Sequence, residues 1–434
     1  MSAALRSFEA QWRARTPDAL QPIREQAMQR FLKLGLPTLS DETWRYTDLR
    51  SLAAQSFQKA PCETRGDIDA AASLSLVDAN QHAATLSLIN GCLPPNADRA
   101  SINGIEISSI KTLSQSDPKG LARFFPATSD ADQRRWVLLN TALFVDGLYL
   151  KITRQVTEPL VILHVSTGER AHEAAHPRII IDAAPGSSAT IIEHHVSHGD
   201  IAPLNNSNTH ISLSMDAQLE HYRVYATGAG ASHLDSLDIH QAHGSQCKQF
   251  TIALGGGLLR SSLEAHLNEP GASLDSYSLL VGHEDRHVDC INIVTHAAPN
   301  TRSRQTARAI ASDVSRVIFN SKVIVNAGAV GSDSRQSCRG LLLSPSAEID
   351  TRPQLEIHAD EVKCAHGATT GRLDPDMLFY LLSRGLDRET AQSLLVYAFL
   401  ADVLTGMSVS SARAAIENAL ISQLPDSQIL RKFR

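Results

Sequence analysis

Apolar and polar positions follow two different patterns along this chain of 434 residues. In the N-terminal part, before the segment 66–135, the apolar side chains recur at helical spacing, and residues 21–34 predict a helix that stops at Gly35. From about 136 to 366 the pattern changes to short strand-like segments, such as 178–182, separated by Gly, Ser, Asn, Asp and Pro. No helical pattern separates these segments, so they are not the strands of β–α–β units.

The strand-like segments repeat at a nearly constant interval. A small residue followed two positions later by an inward residue recurs at Ala189/Ile191, Ala217/Leu219, Ser245/Cys247 and Ala272/Leu274. Strands at this nearly constant step, roughly 28 residues, predict a parallel β-helix with two strands per turn and roughly eight turns. A sandwich or barrel is the alternative, but neither predicts a constant step. Past residue 300 the register is looser, and Ala347/Ile349 and Val362/Cys364 lie about half a step apart.

Three helical segments follow the strands. Residues 374–383 form a short one, and residues 413–424 form the last. Asp387 is the predicted N-cap of the middle helix, whose apolar stripe comprises Ala391, Leu394, Leu395, Ala398 and Phe399. We therefore predict a mainly β fold with a mostly helical domain at 1–135, a β-helix core at 136–371 and a helical domain at 372–434.

Composition excludes several classes of function. The net charge of −6 and the 5% of aromatic residues provide neither a basic footprint nor stacking groups for nucleic acid. No run of 18 apolar residues is present, so no membrane span is predicted, and the N-terminus lacks the apolar core of a signal peptide. The six cysteines are widely spaced and contain no CxxC pair. This usage predicts a cytoplasmic protein with reduced thiols.

One segment matches the zinc-peptidase motif HExxH, at His283–His287. That motif requires a helix, in which the two histidines share one face. Here Gly282 precedes the motif and strand-like residues flank it on both sides. Two histidines four residues apart on a strand are about 13 Å apart, too far for one ion. We interpret the segment as a polar loop between strands.

A second group of histidines comprises His194, His195 and His198. Neighbouring residues of a strand face opposite sides, so His194 and His195 do not ligate one ion together. We interpret the three as surface or interface residues. The glycines at 255–257 and 328–331 lack the lysine of a phosphate-binding loop and the strand-to-helix context of a dinucleotide site.

The remaining candidate site is formed by Cys364 and His366. Two residues apart on an extended segment, their side chains project to the same side. A thiol beside an imidazole suits iron or zinc, but a closed site needs four ligands. From the residues alone, the pair is either structural or one half of a metal site that a second chain completes.

The chain resembles the SufB/SufD family of iron–sulfur cluster assembly proteins, and it is closer to the D-type than to the B-type member. The segments that carry this resemblance are Trp44–Asp48, Leu139–Gly147, His296–Thr301 with Ser303, Val362–Thr369 and Leu378–Gly385. The resemblance covers nearly the whole chain.

The resemblance implies a right-handed β-helix that pairs with a SufB-like scaffold, while the C-terminal helices bind a SufC-like ATPase. Sulfur would come indirectly from a cysteine desulfurase. The chain would contribute to nascent cluster formation or to iron acquisition, and the cluster or the iron would lie at the junction of the two β-helices, with His366 as this chain's ligand and Cys364 beside it. The chain would then be a non-catalytic subunit that holds no cofactor alone and binds neither nucleic acid nor membrane. The missing phosphate-binding loop agrees with an ATPase on a separate chain.

A β-helix lyase or esterase acting on polysaccharides is the alternative. Such an enzyme needs carboxylates clustered with arginine or lysine along one face of the solenoid. Asp313, Arg316, Asp333 and Arg335 are the only residues we assign to that role, and no motif supports them.

Overall fold

The computed structural model describes residues 2–62, 84–125, 134–167, 172–197 and 203–422. The first sheet contains β1 (Gln58–Lys59), β3 (Ser101–Ile102), β4 (Ile105–Ser109), β5 (Leu148–Ile152), β7 (Glu173–Ala175), β8 (Arg178–Ala183), β10 (Leu204–Asn205), β11 (Asn208–Leu213), β13 (Ser232–Gln241), β15 (Leu258–Leu267), β17 (His287–His296), β19 (Arg316–Val325) and β21 (Glu348–Ile357). The second sheet contains β2 (Ala84–Ile89), β6 (Leu160–Ser166), β9 (Ser188–Ser197), β12 (Gln218–Ala226), β14 (Gln246–Ala253), β16 (Ser273–Gly282), β18 (Arg302–Ala311), β20 (Asp333–Leu342) and β22 (Lys363–Gly371). The helices are α1 (Ala3–Arg13), α2 (Gln21–Leu34), α3 (Arg50–Ala53), α4 (Ile110–Ser116), α5 (Pro118–Ala122), α6 (Arg135–Leu143), α7 (Pro375–Ser383), α8 (Arg388–Leu404) and α9 (Ser410–Ser422).

From β11 onward, successive strands alternate between the two sheets, and each pairs in parallel with the strand one turn away. The predicted parallel β-solenoid is therefore confirmed. The order β5-β8-β11-β13-β15-β17-β19-β21 has eight parallel strands, hence about seven turns rather than eight. The length of a turn is not constant, because the step from Ser232 to its partner Leu258 is shorter than the step from Arg316 to its partner Glu348.

The predicted register is right in two steps and wrong in one. Leu219 pairs with Cys247, and Cys247 pairs with Leu274, as the repeat indicates. Ala189, however, pairs with Leu219 and not with Ala217, so this turn is longer than the repeat predicts. The additional length lies in the connections, which leaves the pairing of the strands unaffected.

A stacked corner recurs once in each turn. Its central residue has a left-handed backbone with φ between 55° and 78°, at Gly186, Asp216, Gly244, Gly271, Asn300, Gly331 and Glu361. Most of these positions carry Gly, Asn or Asp, which adopt positive φ with least strain. The N–H of the corner residue donates to a carbonyl of the next corner, as from Asp216 to His243 (2.9 Å). These corners recur at similar but unequal intervals and generate the approximate period of the sequence.

The N-terminal region packs on the outer face of the first sheet. The helix predicted at 21–34 is α2, and Gly35 ends it with φ of 68°. Trp44 lies under the guanidinium of Arg260, 3.6 Å from its ring centroid. Thr47 donates a hydrogen bond to Asp289. The Trp44–Asp48 segment thus anchors the N-terminal helices to the solenoid. Strand β2 also joins the second sheet by pairing with β6.

The C-terminal helices cover the outer face of the second sheet. Asp387 caps α8 as predicted and accepts a hydrogen bond from the N–H of Thr390 (2.9 Å). The predicted apolar stripe is wrong: only Ala391 of its five residues is fully buried. The buried face contains Val396, Leu400, Val403 and Leu404, which pack on Tyr222, Phe250 and Leu279 of the sheet. Helix α8 is apolar around most of its circumference, so its sequence did not reveal which face docks.

The cysteines differ from the prediction that all of them are reduced thiols. Cys62 and Cys92 form a disulfide, with their Cα atoms 5.6 Å apart. Asn90 donates a side-chain hydrogen bond to the carbonyl of Pro61 (2.7 Å), which brings the two segments together. Cys247, Cys290, Cys338 and Cys364 are free. Among the described residues, no helix has the length and apolar character needed to span a bilayer.

Candidate functional site

Cys364 and His366 lie on β22, the last strand of the second sheet. The strand-like pattern of the sequence ends at about 366, but β22 continues to Gly371, so His366 lies within the strand. Cys364 pairs in register with Ser334, and His366 pairs with Gln336. The row of Cys364 continues through Ser334, Ser303 and Leu274, whose side chains face the solenoid interior. Both candidate ligands therefore face the open end of the β-helix interior.

The two candidate ligands differ in exposure. His366 is exposed, whereas Cys364 is half-buried and packs against the apolar core. Burial raises the pKa of the Cys364 thiol, and a backbone hydrogen bond with Ser334 acts in the opposite direction. Because a thiolate is the form that binds metal or attacks sulfur, this chain alone keeps Cys364 protonated near neutral pH. An approaching cation would be required to release its proton.

A hydrogen-bonded series of side chains lies behind Cys364. His296 contacts the hydroxyl of Ser303 through Nε2 (2.8 Å) and that of Thr301 through Nδ1 (2.8 Å). Ser303 contacts Ser334 (2.9 Å), the residue paired with Cys364. Burial lowers the pKa of His296 to about 4, so its ring is neutral at neutral pH. The His296–Thr301 motif, noted in the sequence only as a family feature, thus supports the strand that carries the site.

Two ligands do not complete a metal site. Within the described ranges, no third histidine, cysteine or carboxylate forms a group with Cys364 and His366 that is compact enough to share one metal ion. A tetrahedral site needs two more groups. The pair therefore has the composition of half a site, at an end of the solenoid where another chain has access.

The other sequence candidates take different roles. His283 and Glu284 lie in the turn between β16 and β17, and Glu284 has φ of 56°, so the loop interpretation of HExxH is confirmed. His194 and His195 are fully buried within the chain itself, so the interpretation of these two as surface or interface residues is wrong. Strand β9 pairs with β12 on one side and with β6 on the other, and the neighbouring residues on these strands bury His194 and His195. The local sequence does not reveal this burial, because those strands lie about one turn away in the chain. His198 lies outside the described residues.

The residues considered for a polysaccharide-active enzyme do not form one cluster. Arg316 contacts Glu348 (3.1 Å) and Asp350 (2.9 Å) of the neighbouring strand β21. Asp313 accepts a hydrogen bond from the N–H of Glu284 in a loop. Asp333 and Arg335 belong to the other sheet. These side chains act in separate local contacts.

Comparisons with known proteins agree with this architecture. The profile described as SUF system FeS cluster assembly, SufBD core domain matches residues 164–399, and that of the SufBD protein N-terminal region matches residues 5–162.

Relatives match over most of their length. The iron-sulfur cluster assembly protein SufD of Escherichia coli is 30% identical over 421 residues, which are 96% of this chain and 95% of the relative. A SufBD family protein of Synechocystis is 27% identical over 89% of this chain and 87% of its own. SufD of Bacillus subtilis is 22% identical over 93% and 94%. With a two-sheet solenoid, matches to both family profiles and full-length similarity, this chain belongs to the SufBD family of iron–sulfur cluster assembly proteins.

Proposed function

We propose that this chain is the non-catalytic, D-type subunit of a cytoplasmic scaffold complex for iron–sulfur cluster assembly. It pairs with a SufB-like subunit through the end of a right-handed β-helix and binds a SufC-like ATPase through its C-terminal helices. The observation that carries the proposal is the open end of the solenoid, where Cys364 and His366 lie on an edge strand that pairs on one side only within the described residues.

The open end has the properties of an association surface. Strands β21 and β22 end the two sheets, and in the described part of the chain no further strand pairs with them. An unpaired edge exposes backbone donors and acceptors that a second chain satisfies by adding strands. Ile357 of β21 is 42% exposed, which adds apolar area to this edge. A second β-helix stacked or paired here covers the edge and brings further ligands to Cys364 and His366.

The side chains of Cys364 and His366 suit transient binding of a metal ion or nascent cluster rather than a permanently bound metal. A thiol and an imidazole bind iron or zinc, yet two groups hold such an ion weakly. If the SufB-like partner supplies the remaining ligands, a nascent cluster forms only in the complex. Sulfur then arrives from a cysteine desulfurase system by way of the partner.

A second surface suits the ATPase. Helix α7 exposes Met377 (58%), Phe379 (71%) and Tyr380 (57%), and Leu394 and Leu395 of α8 are only half-buried. Contiguous exposed apolar residues typically mark a protein–protein interface. The inner face of α8 is occupied by the second sheet, so this outer face is free to bind the ATPase.

The ligand role is tested with His366→Ala and Cys364→Ser. His366 is exposed, so His366→Ala should leave the Tm and the assembled complex intact while lowering the activity of cluster-dependent enzymes in cells that depend on this pathway. Cys364→Ser should have the smaller effect, since Cys364 also fills volume at the core. His243→Ala, at an exposed position in a solenoid corner, is the matched control. Full activity of the His366→Ala strain would remove the ligand assignment.

The ATPase surface is tested with point variants rather than by removing the helices, because truncation after Gly371 would uncover Tyr222 and Phe250 of the sheet. Phe379→Asp should abolish copurification of the ATPase without changing the Tm. Val314→Asp is the control, since Val314 is a similarly exposed apolar residue in a loop of the solenoid. Unchanged ATPase recovery with Phe379→Asp would show that the contact lies elsewhere.

A further inference from the structure

A second group of ligand-type side chains lies inside the solenoid, far from the open end. His164 is on β6, and Glu193 and His195 are on β9, six strand positions away from β22 in the second sheet. One nitrogen or oxygen atom from each of the three lies within 4.8 Å of the others. All three side chains are fully buried. Within the described residues, this is the only group of three or more His, Cys, Asp or Glu with ligand spacing.

Hydrogen bonds hold the carboxylate of this group in place. His164 Nε2 lies 3.0 Å from one Glu193 oxygen, and His221 Nε2 lies 2.7 Å from the other. Thr209, from the opposite sheet, donates to the same carboxylate (2.9 Å). The carboxylate is therefore oriented from both sheets before any ligand binds.

Two ring nitrogens of the group have no partner. Nδ1 of His164 and Nε2 of His195 are buried and make no hydrogen bond. Buried polar atoms in folded proteins are paired in the great majority of cases. Unlike the unpaired nitrogens of His194, those of His164 and His195 belong to residues that lie at ligand spacing from a carboxylate.

The charge of the group also favours a cation. His164, Thr209 and His221 all contact the Glu193 carboxylate, and this set of contacts suits its ionised form. A buried carboxylate needs a compensating positive charge. The guanidinium of Arg223, which pairs in register with Glu193, is engaged with Asp235 (3.2 Å). A divalent ion bound to the carboxylate would supply the charge.

We propose that His164, Glu193 and His195 form a binding site for a borderline divalent metal ion, Zn²⁺ or Fe²⁺, inside the first turns of the solenoid. Two imidazoles and one carboxylate are a ligand set that such ions prefer. His221, bonded to the second oxygen of Glu193, orients the carboxylate from outside the site. The site is independent of Cys364 and His366, and it links β6 to β9.

Binding requires a movement of the rings and a proton shift within His164. Metal–nitrogen and metal–oxygen distances of about 2.0–2.2 Å at tetrahedral angles place two ligand atoms about 3.4 Å apart. The widest separation in the group, bounded by 4.8 Å, therefore closes by up to about 1.4 Å. The rings of His164 and His195 are stacked with centroids 4.1 Å apart and an interplanar angle of 10°, so one ring turns out of the stack for both to face the same ion. The proton that His164 Nε2 donates to Glu193 moves to Nδ1 of the same ring as Nε2 binds the ion, and Nδ1 has no other partner.

The test uses the full-length protein. Metal content is measured on the protein as purified, and chelator-treated protein is titrated with Co²⁺, whose visible absorption reports nitrogen and oxygen ligation. We expect one metal ion per chain, and elemental analysis distinguishes Zn²⁺ from Fe²⁺. Removal of the ion by a chelator should lower the Tm. His195→Gln and Glu193→Gln should each weaken Co²⁺ binding at least tenfold. A wild-type chain with neither bound metal nor Co²⁺ binding overturns the proposal, whatever the folding of the variants.

Two controls locate the ion. His194→Gln alters the adjacent residue, which is equally buried but faces the other side of β9, and it should keep the ion. The double variant Cys364→Ser, His366→Ala should also keep it. If His194→Gln loses the ion as completely as His195→Gln in folded protein, or if the double variant loses it, the assignment to His164, Glu193 and His195 is wrong.

Discussion

Replacing His194 with leucine tests how burial of histidine makes this protein sensitive to acid. His194 is fully buried on β9, and both of its ring nitrogens lack hydrogen-bond partners. Its neighbours in register on the adjoining strands are Leu163 and Val224. Leucine matches these neighbours and has nearly the volume of histidine. Burial, with a smaller repulsion from His164, lowers the pKa of His194 to about 4.

The magnitude follows from the two pKa values. In the unfolded chain His194 binds its proton near pH 6.5, whereas in the folded protein it does so only near pH 4. Between these values the unfolded state holds more protons, so the free energy of unfolding decreases as the pH falls. Each pH unit is worth about 1.4 kcal/mol. At pH 5, about 1.5 units below the pKa in the unfolded chain, His194 lowers the free energy of unfolding by about 2 kcal/mol relative to its value at pH 8.

The measurement is urea denaturation at pH 8 and pH 5, followed by circular dichroism. Between these two values His194→Leu should lose about 2 kcal/mol less stability than the wild type, and it should match or exceed the wild type at pH 8. His243→Leu makes the same chemical change at an exposed position and should lose as much as the wild type. If wild type and His194→Leu lose equal stability between pH 8 and pH 5, the buried ring does not carry the acid sensitivity.

Three further substitutions test the packing, the buried charges and the open end. Trp44→Ala removes a buried ring that packs under Arg260. It should lower the free energy of unfolding by about 3–5 kcal/mol and make the N-terminal helices accessible to limited proteolysis. An unchanged Tm would contradict the anchoring role of Trp44. Arg223→Met leaves the buried Asp235 carboxylate without its cation, at a loss of about 3–5 kcal/mol by denaturation, which Asp235→Asn in the same chain should largely restore. Gly367→Val should leave the Tm unchanged, because a Cβ there meets no atom within 4 Å, but should weaken binding to the SufB-like partner at least tenfold in a titration; unchanged affinity would place the partner elsewhere.

Local chemistry determined much of this protein without the fold. The end of α2 at Gly35, the Asp387 cap of α8 and the loop at His283–His287 follow from capping residues and glycines, which act on their immediate neighbours. The β-solenoid follows from corner residues that recur once a turn, because each stacked turn demands the same backbone conformation. The placement of Cys364 and His366 on one side of an extended segment follows from the two-residue period of a strand.

Only the tertiary structure decided which distant residues meet. The docked face of α8 depends on the outer side chains of the second sheet, since the helix itself is apolar on several sides. The group of His164, Glu193 and His195 arises because parallel pairing aligns residues that lie one full turn apart in the chain, and a shift of the register by one residue would separate them. The turn length varies along the solenoid, so no fixed period in the sequence specifies that alignment. Strand pairing sums many weak contacts across whole turns, and their outcome is a property of the folded solenoid rather than of any one segment.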